Sequence, residues 1–134
     1  MKNILISLVS ALVSMLAIDA VWLSTMAKTF YSKHIGHLMA ESPNLLPAGI
    51  FYLIYTFALS VLVVVPAIHN GSSTLRVFLL GALFGFTAYA TYDLTNQATL
   101  KSWPTVVTVV DMAWGAALTG VTAVIAFYLT KYFA

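Results

Sequence analysis

Three of the four acidic residues in the chain, Asp19, Asp93 and Asp111, interrupt long apolar segments. A carboxylate near the centre of a bilayer costs roughly 2.5–3.5 kcal/mol on insertion scales, so three of them oppose insertion unless protonated, paired or turned to a shared polar interior. Groups held in that way can accept a proton, pair with a cation or serve as general acid and base. Asp19 and Asp111 each open the tetrad Asp-x-x-Trp, closed by Trp22 and Trp114. The two tetrads fall on helices expected to run antiparallel, as in the inverted repeats that build some membrane sites, although a four-residue match is a cheap coincidence.

The elements that must position these acids follow from composition. Of 134 residues, 61% are hydrophobic and 7% charged, against about a quarter charged in soluble domains. Four apolar stretches, near residues 4–26, 47–67, 75–98 and 104–130, each approach the roughly 20 residues that span a 30 Å core as helix. The sequence predicts a single domain, an all-α integral membrane bundle of four transmembrane helices. Ala-Ile-Asp-Ala at 17–20 resembles a secretory cleavage site, but the apolar run continues through Met26 and reads as a retained first helix. In the loop 27–46, Tyr31, Ile35, Leu38 and Met39 recur at helical spacing opposite Lys33, His34, His37 and Glu41, which predicts a short interfacial helix. Asn70-Gly71-Ser72-Ser73 predicts a tight turn, and Trp103-Pro104 opens the last helix with Trp103 in the interfacial aromatic belt.

Side A denotes the face bearing the loops after the first and third helices, and side B the other. Lys28, Lys33 and Lys101 lie on side A and Lys2, Arg76 and Lys131 on side B, so the positive-inside balance is even and leaves orientation open. These scattered charges form no basic run for nucleic acid. With no cysteine, disulfides and thiolate sites are excluded. No cofactor motif is present, and the expected partners are the lipid bilayer and a small-molecule ligand.

Helix rise turns the acids into a layer. Asp19 lies about seven residues from Met26 and Asp111 seven after Pro104, so each sits roughly 10 Å below side A, with Asp93 at roughly 7–10 Å. Tyr52 and Tyr55 reach the same level from the second helix. Tyr89, Asp93 and Asn96 share one helical face, and Thr108, Asp111, Gly115 and Thr119 another. Faced inward, they predict a polar pocket open toward side A, with Asp19, Asp93 and Asp111 as charge-bearing groups, Trp22, Tyr89, Tyr92 and Trp114 as walls, and Asn96 beside them. The bland alternative is protonated Asp residues that hydrogen-bond to Tyr, Asn and Thr and cement the helices.

Gly81 and Gly85 form a Gly-x-x-x-Gly for close helix packing. Ser7, Ser10, Ser14, Ala17 and Ser24 make a second small-residue stripe, well away from Asp19 around the first helix. A lone four-helix bundle struggles to bury both faces, and a homo-oligomer is the natural remedy. His34 and His37, one turn apart, are a weak alternative metal pair that with Asp oxygens would activate water on zinc; two solvated histidines are the simpler reading.

The run from Tyr92 to Pro104, Tyr92-Asp93-Leu94-Thr95-Asn96-Gln97-Ala98-Thr99-Leu100-Lys101-Ser102-Trp103-Pro104, followed by Asp111-Met112-Ala113-Trp114-Gly115, resembles the bacterial membrane-protein family catalogued as domain of unknown function 2177. Asp19-x-x-Trp22 and the four-helix layout resemble it too. The resemblance implies a small protein of the bacterial inner membrane and brings no activity with it. From the residues, the expected function is binding or transport of a cationic or proton-coupled small solute. The alternatives are a membrane-embedded enzyme on a lipid-like substrate, using carboxylate acid–base or metal-assisted chemistry, and a structural membrane subunit.

Overall fold

In the computed structural model, which describes residues 1–134, the first helix does not end where its apolar run ends. Helix α1 is continuous from Lys2 to Leu38. Its α-helical part, Lys2–Met26, passes through a π-helical turn at Ala27–Tyr31, then Ser32–Ile35 and a 3-10 turn at Gly36–Leu38. The short helix expected in the first loop is therefore an extension of α1. Lys28 and Lys33 end the hydrophobicity there, but no proline ends the helix, and the wider π turn rotates everything beyond it.

Helix α2, Leu45–His69, starts at Asn44, whose side chain accepts from the Leu46 N–H at 3.2 Å. Pro66 has no N–H to donate, and the turn before it, Ser60–Val64, opens into a π turn. Helix α3, Thr74–Thr99, is capped by Ser73, which accepts from the Arg76 N–H at 3.2 Å. Gly71, at φ 60°, makes the turn into it. Helix α4, Thr105–Phe133, follows Pro104.

Between α3 and α4, Ser102 adopts a φ of 59°, in the left-handed region. This turn folds Trp103 into the bundle, where it is 8% exposed and donates its indole N–H to Thr108 Oγ1 at 3.1 Å. The aromatic-belt position expected for Trp103 is thereby corrected: a polar partner inside outweighs display at the surface.

Helix α4 is the central element, packed on α1 along one side and α3 along another. Its contact with α3 is the tightest in the bundle and rests on missing side chains. A Cβ at Gly81 would come within 2.9 Å of the Thr119 carbonyl oxygen, and one at Gly85 would collide with the Gly115 carbonyl. That is the close packing the Gly-x-x-x-Gly predicts. From the small-residue stripe of α1, Ser7 turns inward and donates to Ser60 Oγ at 2.8 Å, while Ala17 and Ser24 face outward.

Toward side B the interior is apolar, filled by Leu59, Val63, Val64, Val77, Ala123 and Phe127. Nearer side A the apolar core narrows to Met15, Tyr55 and Leu118. Large apolar side chains such as Val13, Ile54, Leu83 and Val109 are more than half exposed on the outer surface, as suits helices packed in acyl chains.

Candidate functional site

The three acids differ in their donors: Asp19 has two, Asp111 one and Asp93 none. Asp19, 6% exposed on α1, accepts from two aromatic donors. The Tyr52 hydroxyl of α2 donates to Oδ2, and the Trp114 indole of α4 donates to Oδ1 at 3.2 Å. Two donors on separate oxygens leave this carboxyl well satisfied, and they tie three helices together.

Asp93 is in the opposite condition. It is 0% exposed on α3, and neither carboxyl oxygen receives an N–H or O–H donor from the protein. The face of α3 that carries it packs on α4, with Thr108 Oγ1 3.5 Å from the Asp93 carbonyl and the Tyr89 ring against Gly115. Between those two contacts α4 carries Asp111, itself 6% exposed, which takes a hydrogen bond from the Tyr31 hydroxyl. Two carboxyls brought together in an apolar interior hydrogen-bond to one another only when one of them carries a proton.

The two tetrads are cross-connected. Trp22 and Trp114 stack with centroids 4.1 Å apart and planes 7° from parallel. Trp114, from the tetrad of Asp111, bonds Asp19; Trp22, from the tetrad of Asp19, donates at 3.2 Å to Tyr31 Oη, which in turn bonds Asp111. Antiparallel packing of α1 on α4 sets the register, pairing the level of Asp19 with Trp114 and that of Trp22 with Asp111. The contacts thus distinguish Asp19, held by Tyr52 and Trp114, from Asp111, held by Tyr31.

Tyr31 is the site residue that sequence reasoning missed. It sits nine residues beyond Trp22, which at 100° per residue places it on the opposite face of α1. The π turn absorbs about one residue of that spacing and swings the ring back over the bundle. The local signal, an aromatic among charged residues, was legible only as part of an interfacial helix.

Tyr89 lies with its ring against Gly115, where no side chain could stand: a Cβ there would meet the ring. It stands one helical turn from Asp93 on α3, and Gly115 stands one turn from Asp111 on α4. Tyr92 is 54% exposed and meets Trp103 edge to face at 5.9 Å, so it borders the site from outside. Asn96 is half-buried one turn further along α3. Tyr55 donates or accepts across to Thr119 Oγ1 at 2.7 Å, on the inner face of α4.

A match to the family described as predicted membrane protein (DUF2177) covers residues 4–128. The chain belongs to this family. No curated protein and no solved structure matches it. The matched stretch takes in all four DUF2177 helices and every residue of the site, Tyr31 included. The histidines of this DUF2177 protein stay apart from the carboxyls. His34 packs on Phe30 at 4.6 Å and donates from Nδ1 to the Phe30 carbonyl at 2.9 Å, while His37 is exposed. No three His, Asp or Glu side chains converge as metal ligands, so the metal version of the His34–His37 idea finds no ligand set here. Lys28, Lys33 and Lys101 are all exposed.

Proposed function

We propose that this integral membrane protein, in the bacterial inner membrane that the family resemblance implies, binds or transports a small cationic or proton-coupled solute at the Asp93–Asp111 pair. The observation that carries this reading is Asp93: 0% exposed, without a donor on either oxygen, and on the face of α3 that packs on α4 where Asp111 lies between the Thr108 and Gly115 contacts. Two carboxylates so placed in a low-dielectric interior repel one another and cannot both ionise without a positive partner. A proton satisfies the pair, and so does a cation. The two compete, which couples solute binding to pH.

The surroundings support this division of labour. Asp19, already bonded to Tyr52 and Trp114, adds negative field without itself needing a ligand. Trp22, Trp114, Tyr89 and Tyr92 offer aromatic faces at about the same level, and a cation over such a face gains roughly 0.5–2 kcal/mol. The apolar packing of Leu59, Val64, Val77 and Phe127 closes the side B half. A buried carboxyl used only as cement has its oxygens donated to, as those of Asp19 are, whereas Asp93 has no donor.

The test is binding of tetramethylammonium to the protein in bilayer nanodiscs across a pH series. Affinity should fall as the medium is acidified, because protons occupy the pair, and Asp93→Asn should abolish it. A variant with full affinity at every pH overturns the reading.

A further inference from the structure

The first half of α2 is held against α1 rather than α3, and between α2 and α3 it leaves a cavity of about 400 Å³ lined by Phe51, Tyr55, Ala88, Tyr89 and Tyr92. That is within the roughly 300–1,000 Å³ of sites for drug-sized molecules. Exposure falls steadily from rim to floor. Phe51 and Tyr92 are 45% and 54% exposed, on surface that acyl chains would cover; Tyr55, at the floor, is 6% exposed. The opening therefore faces the side of the bundle, between two helices, rather than water.

We infer that this cavity admits a lipophilic organic cation directly from the bilayer, with the carboxyl groups behind Tyr89 compensating its charge. The ligand class follows from what each wall rejects. A small hydrated cation would have to shed its water to pass Phe51 and Tyr92. An anion would be repelled, because Tyr89 lies one helical turn from Asp93 on α3 and packs on Gly115, one turn from Asp111 on α4, and Tyr92 directly precedes Asp93. A neutral apolar molecule would gain nothing from those acids. A cation with its charge spread over or shielded by apolar groups partitions into the acyl region, lies against four aromatic rings and is drawn toward the acids behind Tyr89. Tyr89 stands between the cavity and the acids, seated on Gly115, and is the partition through which the charge is felt.

This inference rests on the reading of the Asp93–Asp111 pair as cation-accepting, and the experiment separates the two. Binding of tetraphenylphosphonium and of tetramethylammonium is measured by equilibrium dialysis against the protein in nanodiscs, with empty nanodiscs subtracted. Wild type should bind tetraphenylphosphonium at least tenfold more tightly than tetramethylammonium. Ala88→Phe, which fills the cavity, should weaken tetraphenylphosphonium at least tenfold and leave tetramethylammonium unchanged. Phe51→Ala, at a rim position that is 45% exposed, should weaken it about threefold. Should tetraphenylphosphonium bind no tighter than tetramethylammonium, or both cavity variants keep wild-type affinity, the lateral site is wrong while the carboxyl reading stands. If Asp93→Asn binds both cations as wild type does, the carboxyl reading itself is wrong, and the inference falls with it.

Discussion

Trp22 and Trp114 stack face to face at 4.1 Å, and through this stack each Asp-x-x-Trp tetrad serves the acid of the other. Trp114 does so directly, by its N–H to Asp19; Trp22 does so through Tyr31 to Asp111. The exchange makes the α1–α4 contact both a structural seam and the wall of the site.

Removing the indole donor while keeping an aromatic ring isolates the bond from the packing. Trp114→Phe should lower stability by about 1–3 kcal/mol, because a buried carboxyl oxygen loses its donor. In an Asp19→Asn background the same change should cost clearly less. Thermal unfolding in detergent of the four proteins measures this; equal costs in both backgrounds would show that the bond contributes nothing.

The seat of Tyr89 on Gly115 makes a reciprocal prediction. Gly115→Ala should destabilise the protein by about 1–3 kcal/mol, the range for overpacking a core, and Tyr89→Ala in the same chain should recover most of that loss. Gly85→Ala should not be rescued by Tyr89→Ala, because its Cβ meets the Gly115 backbone and Thr119 instead. Monodisperse yield on size exclusion and the melting temperature distinguish the two cases.

At Asp93 the choice of substitute matters more than the loss of the acid. Asn keeps the shape and offers an N–H to Asp111, the role a shared proton plays, so Asp93→Asn should fold with near wild-type stability. Asp93→Leu gives Asp111 no donor on that side and should cost about 1–3 kcal/mol. Equal stability of the two variants would mean that the carboxyls do not bond.

Ser102 holds a left-handed backbone that only glycine adopts freely, a conformation that costs other residues of order 1 kcal/mol or more. Ser102→Gly should therefore leave stability unchanged or raise it by up to about 1 kcal/mol, whereas Ser102→Val should lower it and release Trp103. Tryptophan emission, which shifts when Trp103 moves to a more polar setting, reads the second effect.

What was legible in the chain was whatever depends on one helix at a time. Apolar runs set the four spans, the glycine spacing set the α3–α4 contact, and 1.5 Å per residue brought Tyr52 to the level of Asp19. Relations between helices were not legible. The tetrads read as coincidence because their exchange depends on the antiparallel register of α1 on α4. Tyr31 reads as part of the apolar face of an interfacial helix, because α-helical phase fails across a π turn. The difference between a doubly bonded Asp19, a singly bonded Asp111 and an Asp93 without donors depends on which donors arrive from other helices, information that no single span contains.

The long sequence separation of the Trp114–Asp19 bond, 95 residues, also sets an order of events during synthesis. At about 5–20 residues per second, Asp19 waits roughly 5–20 s in or near the membrane before Trp114 exists. Tyr52 arrives earlier and offers an interim donor, but the Tyr31–Asp111 bond must likewise await the last helix. Emergence of α4 thus closes the acids of the first and last spans together, and a chain released without it leaves Asp19 with one donor in place of two.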